Sequence, residues 1–175
     1  MMIYAKDISA NEYNPYYQPY VKALKDTELF EALNKSFEST LALLENRTEE
    51  ELLYQYEKNK WTIKEIVQHL IDAERIFCYR ALRFSRNDRT DLPGYDENWF
   101  VDFSKANNRT ITDLLTEFHS VRSASVSLFK SFSDEMLLRT GVANKAEMSV
   151  RAAGIIIAGH NWHHLNVIKA LYLTQ

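Results

Sequence analysis

The chain contains little of what interrupts or cross-links a fold: one cysteine, four glycines and three prolines among 175 residues. A single cysteine, Cys78, cannot form an internal disulfide, which fits a reducing compartment. The scarcity of glycine and proline favours long helices over many short strands. The most apolar stretch, residues 152–158, is far shorter than the roughly 20 residues that cross a bilayer, and the N-terminus lacks the apolar core of a signal peptide. We therefore expect a cytoplasmic protein with no membrane partner.

Basic charge is also scarce. The 21 lysines and arginines are outnumbered by 24 aspartates and glutamates, which leaves a net charge of −3. The chain thus lacks the basic footprint of a nucleic-acid-binding protein. Its 46% apolar and 13% aromatic content is that of an ordinary globular protein. The length predicts one domain over residues 1–175, in which residues 1–19, broken by Pro15 and Pro19, form an irregular N-terminal segment.

Apolar residues recur at helical spacing in four long segments. We predict helices over residues 20–46, 63–84, 112–132 and 149–172, short helices at 49–56 and 134–138, and a polar connection at 141–148. Thr62 and Glu65 have the spacing of a capping box that opens the second long helix, and Ser149 is the expected N-cap of the fourth. The pattern predicts an all-α fold: a four-helix bundle with long connections, in which at least one helix crosses over.

Histidine is the most informative residue type in the chain. Of five histidines, His160, His163 and His164 fall within five consecutive positions of the fourth predicted helix. Residues four apart lie on one face of a helix, so His160 and His164 can direct two imidazoles at one point, while His163 falls toward the flank. His69, in the second predicted helix, could complete the group from across the bundle. Imidazole is a common ligand of transition metals, so we expect His69, His160 and His164 to hold a metal ion.

Two known metal-site patterns do not fit the residues around these histidines. The spacing of His160 and His164 matches that of zinc peptidases, but Asn161 occupies the position of their general base, and an amide cannot take a proton. A ferritin-like di-iron site needs Glu-x-x-His pairs, which neither histidine-bearing segment provides. Histidines that lie on a helix surface or hydrogen-bond within the core are the alternative to a metal site.

Three segments together resemble the DinB-like/YfiT-like superfamily. They are residues 61–77, Trp-Thr-Ile-Lys-Glu-Ile-Val-Gln-His-Leu-Ile-Asp-Ala-Glu-Arg-Ile-Phe; residues 92–96, Leu-Pro-Gly-Tyr-Asp; and residues 158–164, Ala-Gly-His-Asn-Trp-His-His. The resemblance implies a four-helix bundle, a dimer, and a divalent metal ion held by His69, His160 and His164. Many members have a glutamate where this chain has Asn161, so any role of that glutamate does not carry over.

The most specific activity that the resemblance implies is low-molecular-weight thiol transfer, with the thiol as co-substrate. Metal-activated hydrolysis is the next candidate, because a metal held by three histidines can lower the pKa of a bound water. Zinc and nickel are the metals we expect first. The alternative is a non-catalytic bundle that binds a metal or a small ligand, as part of a stress response. His163, Asn161, Asp72 and Glu74 are candidates for orienting the ligands or contacting a small-molecule substrate.

The competing interpretation of Asp72 and Glu74 is an ordinary solvated helix face, and the same interpretation applies to Arg80. The long connection at residues 86–109 is rich in aromatic side chains, and connections of this length in a compact domain are usually functional or disordered. We expect it to cover or border the metal pocket, with packing in a dimer interface as the alternative. A homodimer is expected because the apolar surface exceeds what one bundle core needs.

Overall fold

The structure is a computed structural model that describes residues 2–173. Its α-helices, in chain order, are α1 (Gln18–Ala23), α2 (Leu29–Leu44), α3 (Glu49–Leu53), α4 (Ile63–Ser85), α5 (Glu97–Ser104), α6 (Ile111–Lys130), α7 (Asp134–Leu138) and α8 (Val150–Val167). Helices α2, α4, α6 and α8 pack together as the bundle, and α8 contacts both α2 and α4. The predicted all-α, four-helix architecture is confirmed. None of the helices within residues 2–173 is long and apolar enough to cross a membrane.

The second long helix begins where its capping box predicts. The Thr62 hydroxyl accepts from the Glu65 backbone N–H, and the Glu65 carboxylate accepts from the Thr62 backbone N–H. The side-chain amide of Asn107 also donates to Glu65, at 2.9 Å, which ties the start of α4 to the end of the following connection. Helix α4 therefore begins at a fixed point and carries His69 two turns into the bundle.

The first predicted helix is wrong in one respect, because the structure divides residues 20–46 into α1 and α2. Lys25 adopts a positive φ of 49°, which breaks the helix. The Glu28 carboxylate then caps α2 by accepting from the backbone N–H groups of Phe30 and Glu31. Apolar spacing continues across the break, so periodicity alone does not reveal it. The interruption lets α1 pack against α8 separately from α2.

The polar connection predicted at 141–148 is instead a β-hairpin of β1 (Thr140–Ala143) and β2 (Ala146–Ser149). Asn144 and Lys145 at its turn have φ of 51° and 63°, the conformation that two-residue hairpin loops require. The backbone of Leu92 pairs with the hairpin, donating to the Val142 carbonyl and accepting from the Asn144 N–H. The hairpin thereby fixes the start of the 86–109 connection. Ser149 caps α8 as predicted, and a π-helical turn at Ile168–Tyr172 follows α8.

A buried ion pair joins the four bundle helices. Arg122 of α6 and Glu74 of α4 are each 3% exposed, and the guanidinium donates to both carboxylate oxygens, at 2.8 and 2.9 Å. Arg122 also donates to Ser36 of α2, at 3.0 Å, and to the side-chain oxygen of Asn161 of α8, at 3.3 Å. The Asn161 amide donates in turn to Thr40 of α2, at 3.0 Å. This network fixes the relative positions of α4 and α8, which carry the clustered histidines.

We expect Glu74→Gln or Arg122→Met alone to lower the free energy of unfolding by about 3–5 kcal/mol, because each change leaves the charge of the other residue buried without its partner. The double variant Glu74→Gln/Arg122→Met should lose less stability than the sum of the losses in the two single variants, because neither charge is left without its partner. Urea titrations followed by circular dichroism measure all three. Single variants within about 1 kcal/mol of wild type would show that the pair carries little of the stability.

The N-terminal segment contains 3₁₀ turns at Ala5–Asp7, Ala10–Glu12 and Pro15–Tyr17, and α1 begins inside the segment that the sequence predicts to be irregular, at Gln18. It is held on the bundle by Glu12, whose carboxylate accepts from the Arg151 guanidinium, at 2.6 and 2.8 Å, and from the Ser149 hydroxyl, at 2.8 Å. Burial alone would raise the pKa of Glu12, but these hydrogen bonds outweigh it and the pKa is lowered.

We expect Glu12→Gln to reduce unfolding free energy by about 2 kcal/mol at pH 7, the magnitude of hydrogen bonds to a charged group. A carboxyl whose pKa is lowered on folding stabilises the protein above its unfolded pKa, so the difference should shrink as the pH falls below about 4.5. Thermal or urea unfolding of both proteins from pH 7 to pH 3 measures this. Glu135 provides a control, because it is exposed and pairs with Arg139 at the protein surface. Glu135→Gln should change the free energy of unfolding by less than about 0.5 kcal/mol.

Candidate metal site

The structure brings together the three histidines that the sequence selects. His69 projects from α4, and His160 and His164 project from successive turns of α8. The Nε2 atom of His160 lies 3.1 Å from Nε2 of His69 and 3.0 Å from Nε2 of His164. One ring nitrogen from each residue lies within 4.8 Å of the others. The packing of α4 against α8 therefore brings together nitrogen atoms of His69 and His160, which are 91 residues apart in the sequence.

The cluster has the donor set and the spacing of a metal site. Two nitrogens bound to one tetrahedral ion at about 2.0–2.1 Å would lie roughly 3.3 Å apart, close to the distances from His160 Nε2 to the Nε2 atoms of His69 and His164. Imidazole is a suitable ligand only in its neutral form. Burial lowers the pKa of His69 to about 4, and burial together with the neighbouring rings lowers the pKa of His160 and His164 well below the usual value. All three rings are thus neutral at pH 7, with lone pairs available for a metal.

Aromatic rings surround the histidines. The Trp61 ring lies 4.7 Å from the His69 ring and 6.4 Å from that of His164. The Tyr20 ring lies 5.3 Å from His160. Trp61 is held in place from the opposite end of the chain, because the Tyr172 hydroxyl donates to its carbonyl at 2.6 Å. These contacts limit the movement of the rings and reduce access of water to them.

The cluster lies in the wall of a cavity of about 250 Å³, at the small end of the range for small-molecule sites. Aromatic side chains form much of the wall, with Arg80 and Glu97 as the charged groups; the aromatic residues are Tyr16, Tyr17, Tyr20, Trp61, Phe77 and Tyr95. Apart from Tyr95, which belongs to the 86–109 connection expected to border the pocket, sequence reasoning named none of these as site residues. The signal that could have found Trp61 is its position immediately before the cap of the His69 helix. No local signal identifies Tyr17 and Tyr20, since α1 approaches α8 only in the tertiary fold.

Part of the 86–109 connection borders this cavity, as expected. Gly94, Tyr95, Glu97 and Asn98 line the cavity together with the histidines. Trp99 does not; it is 62% exposed and lies on the outer side of α5. The expectation of a bordering segment is therefore confirmed for Gly94, Tyr95, Glu97 and Asn98, whereas Trp99 faces outward.

The four remaining candidates occupy different places. His163 lines the cavity, with its ring 5.2 Å from that of Tyr20, but it is not part of the nitrogen cluster. Asn161 and Glu74 belong to the Arg122 network and, with His160, line a narrow crevice rather than the main cavity. Asp72 accepts from Gln68 at 3.0 Å and borders a groove beside α5.

The interpretation that Glu74 and Arg80 lie on a solvated helix face is wrong for both residues. Glu74 is 3% exposed because Arg122 of the facing helix covers and pairs with it. Arg80 is also 3% exposed, because the turn at Pro93 folds over it and accepts a hydrogen bond from its Nη2, at 3.3 Å. Side-chain burial at these positions is imposed by elements distant in sequence.

Known proteins share both the sequence pattern and the fold. A provisionally named metal-dependent hydrolase of Oceanobacillus iheyensis is 27% identical over 124 residues, which cover 69% of this chain and 70% of that protein. The structure of YfiT from Bacillus subtilis superposes with a TM-score of 0.72 over 82% of this chain and 83% of YfiT, at 18% identity. YfiT is described as a provisional metal-dependent hydrolase with an unusual four-helix bundle topology. The sequence profile of the DinB superfamily matches residues 32–168, well over half of the chain, so the protein belongs to the DinB superfamily.

Proposed function

We propose that this protein is a divalent-metal-dependent enzyme in which His69, His160 and His164 are the protein ligands and a small molecule is the substrate. The observation that carries the proposal is the convergence of three neutral imidazole nitrogens in the wall of a small cavity. Three protein ligands leave a coordination position open, which distinguishes catalytic from structural sites. When bound, a divalent metal supplies a lowered pKa for a coordinated water or thiol and polarisation of a carbonyl.

Hydrolysis is the reaction we propose first. It agrees with the provisional names of the Oceanobacillus protein and of YfiT. The chain itself supplies a proton acceptor in His163, which lines the cavity and whose pKa is lowered by burial, so that it is neutral at pH 7. Asn161 cannot serve, because its side chain is engaged with Arg122 and Thr40. Tyr20 and Trp61 pack around the rings and hold them in position.

Thiol transfer is the second candidate, with a low-molecular-weight thiol as co-substrate. The observation that favours it is the scarcity of acid–base groups: apart from the clustered histidines and the tyrosines, His163 and Glu97 are the proton acceptors among the described cavity residues. A thiolate attacking an electrophile needs less proton transfer than amide hydrolysis does. A bundle that binds a metal or small ligand without catalysis is the remaining alternative.

Metal content of purified variants tests the ligand assignment. We expect His69→Ala, His160→Ala and His164→Ala each to abolish tight binding of zinc or nickel, because two imidazoles cannot replace three. His163→Ala should retain most of the metal, and His119→Ala, on the exposed face of α6, is the matched control. Elemental analysis after dialysis against a weak chelator measures the ratio of metal to protein. Equal losses in His163→Ala and His160→Ala would show that the ligand set is wrong.

Activity screens separate the reactions. The protein loaded with zinc, nickel or manganese is incubated with simple esters and amides, and separately with a thiol and an electrophile. Hydrolysis that is lost in His160→Ala and reduced in His163→Ala supports the first candidate, whereas turnover only with thiols supports the second. Retention of tight metal binding with no turnover on either panel would support a binding protein.

We also propose that the protein forms a homodimer, through the outward side of α5. Trp99 and Phe103 are 62% and 64% exposed and stack with ring centroids 4.5 Å apart, and exposed apolar patches often mark interfaces. Light scattering should give twice the chain mass at micromolar concentration, and Trp99→Lys should shift it toward the monomer. A monomeric mass for the wild type would refute the proposal.

A further inference from the structure

Arg80 is a buried cation in the wall of the histidine-lined cavity. It is as buried as Arg122, at 3% exposure, but the two differ in their partners. Arg122 binds both oxygens of Glu74. Arg80 hydrogen-bonds to the Pro93 carbonyl and to the Tyr17 hydroxyl and lies over the Phe77 ring, at 5.3 Å, and among residues 2–173 no carboxylate forms an ion pair with it. Buried charges are costly unless they are paired. An unpaired guanidinium in a cavity wall therefore implies that its anion comes from outside the chain.

The position of Arg80 fixes where that anion would lie. His69, Ala73, Phe77 and Arg80 all line the same cavity and follow one another along a single face of α4. Their Cα atoms span eleven residues, or roughly 16 Å at 1.5 Å per residue. The guanidinium leans back over Phe77, toward the histidines, in the usual direction for helical side chains. Along this face of α4 the cavity lining therefore runs from a histidine ligand, past the Phe77 ring, to the Arg80 cation.

The other groups around Arg80 suit an anion. The phenols of Tyr17 and Tyr95 line the same part of the cavity, and the Arg80 charge acts on both. Burial raises the pKa of each phenol, so both hydroxyls keep their protons and can donate hydrogen bonds. Glu97 is the opposing charge: its exposed carboxylate lines the cavity without forming an ion pair to Arg80. It would weaken anion binding through its field, and it provides a control.

We propose that Arg80, with Tyr17 and Tyr95, forms a carboxylate-binding subsite, and that the substrate is an elongated small molecule with its reacting group at the histidines and a carboxylate at Arg80. The placement of the reacting group at the histidines rests on the proposed function. The placement of the carboxylate rests only on Arg80 and the residues around it. The aromatic wall between the two ends suits an apolar linking chain.

Paired ligands that differ only in charge test the subsite. The cobalt(II)-loaded protein is titrated with 6-mercaptohexanoate and with 6-mercapto-1-hexanol, and thiolate binding is followed by charge-transfer absorption. The wild type should bind the carboxylate at least about tenfold more tightly, the gain expected from charge-assisted hydrogen bonds. Arg80→Met should remove the preference, Arg80→Lys should retain part of it, and Glu97→Gln should increase it.

The ratio of the affinities for the two thiols shows whether Arg80 recognises the carboxylate or only stabilises the fold. If Arg80 served only to hold the Pro93 turn, Arg80→Met would weaken both thiols equally, leave the ratio unchanged and overturn the proposal. Equal affinities in the wild type would also overturn it.

A protein that binds no cobalt would refute the proposed metal function instead, and the subsite would then be tested without metal. Octanoate and 1-octanol are titrated against the metal-free protein while its tryptophan fluorescence is recorded, to which Trp61 in the cavity wall contributes. An octanoate preference that is lost in Arg80→Met supports the subsite, and its absence rejects it.

Discussion

The close packing of α8 against its neighbours is the constraint on which the site depends. Every residue from Ala152 to Gly159 is buried, and the small residues among them let other helices approach its backbone. At Gly159 the approach is extreme: a Cβ atom there would lie 2.2 Å from the Tyr20 carbonyl oxygen. Only glycine permits α1 to cross α8 at this point. That crossing places Tyr20 against His160 and His163. The absence of a side chain at Gly159 therefore allows an aromatic ring from α1 to form part of the cavity wall.

The same helix separates two kinds of polar residue by about 100° of rotation. His160 and His164 face the cavity, whereas Asn161, between them in sequence, faces the Arg122 network. The two histidines therefore share the spacing of zinc peptidases without the peptidase arrangement around it. The position of the peptidase general base is occupied by Asn161, which links α8 to α2 and α6. An asparagine suits that position because its amide both accepts from a cation and donates to Thr40, which a carboxylate cannot do.

The sequence predicts those features that depend on local chemistry or on regular spacing. The start of α4 at its capping box, the short helix at Asp134–Leu138 and the pairing of His160 with His164 follow from spacing on a single helix face or from one cap. His69, on another helix, was assigned with the help of the family resemblance. Features set by tertiary contacts were missed. The break at Lys25 interrupts no hydrophobic period, and the hairpin at residues 140–149 turns on Asn-Lys rather than the familiar Asn-Gly. Arginine burial was missed for the same reason, since it depends on which elements cover α4.

Arg80 and Arg122 show how burial of similar side chains can have different consequences. The charge of Arg122 is neutralised within the protein, and the four helices around it form a closed, satisfied network whose effect is to fix the bundle. The charge of Arg80 is directed at a cavity, and its bond to the Pro93 carbonyl compensates only part of the cost of burial. A fold selected for stability alone would place an apolar residue there, as Phe77 is placed one turn earlier. A buried cation in the wall of the histidine-lined cavity is therefore better explained by a ligand than by the fold.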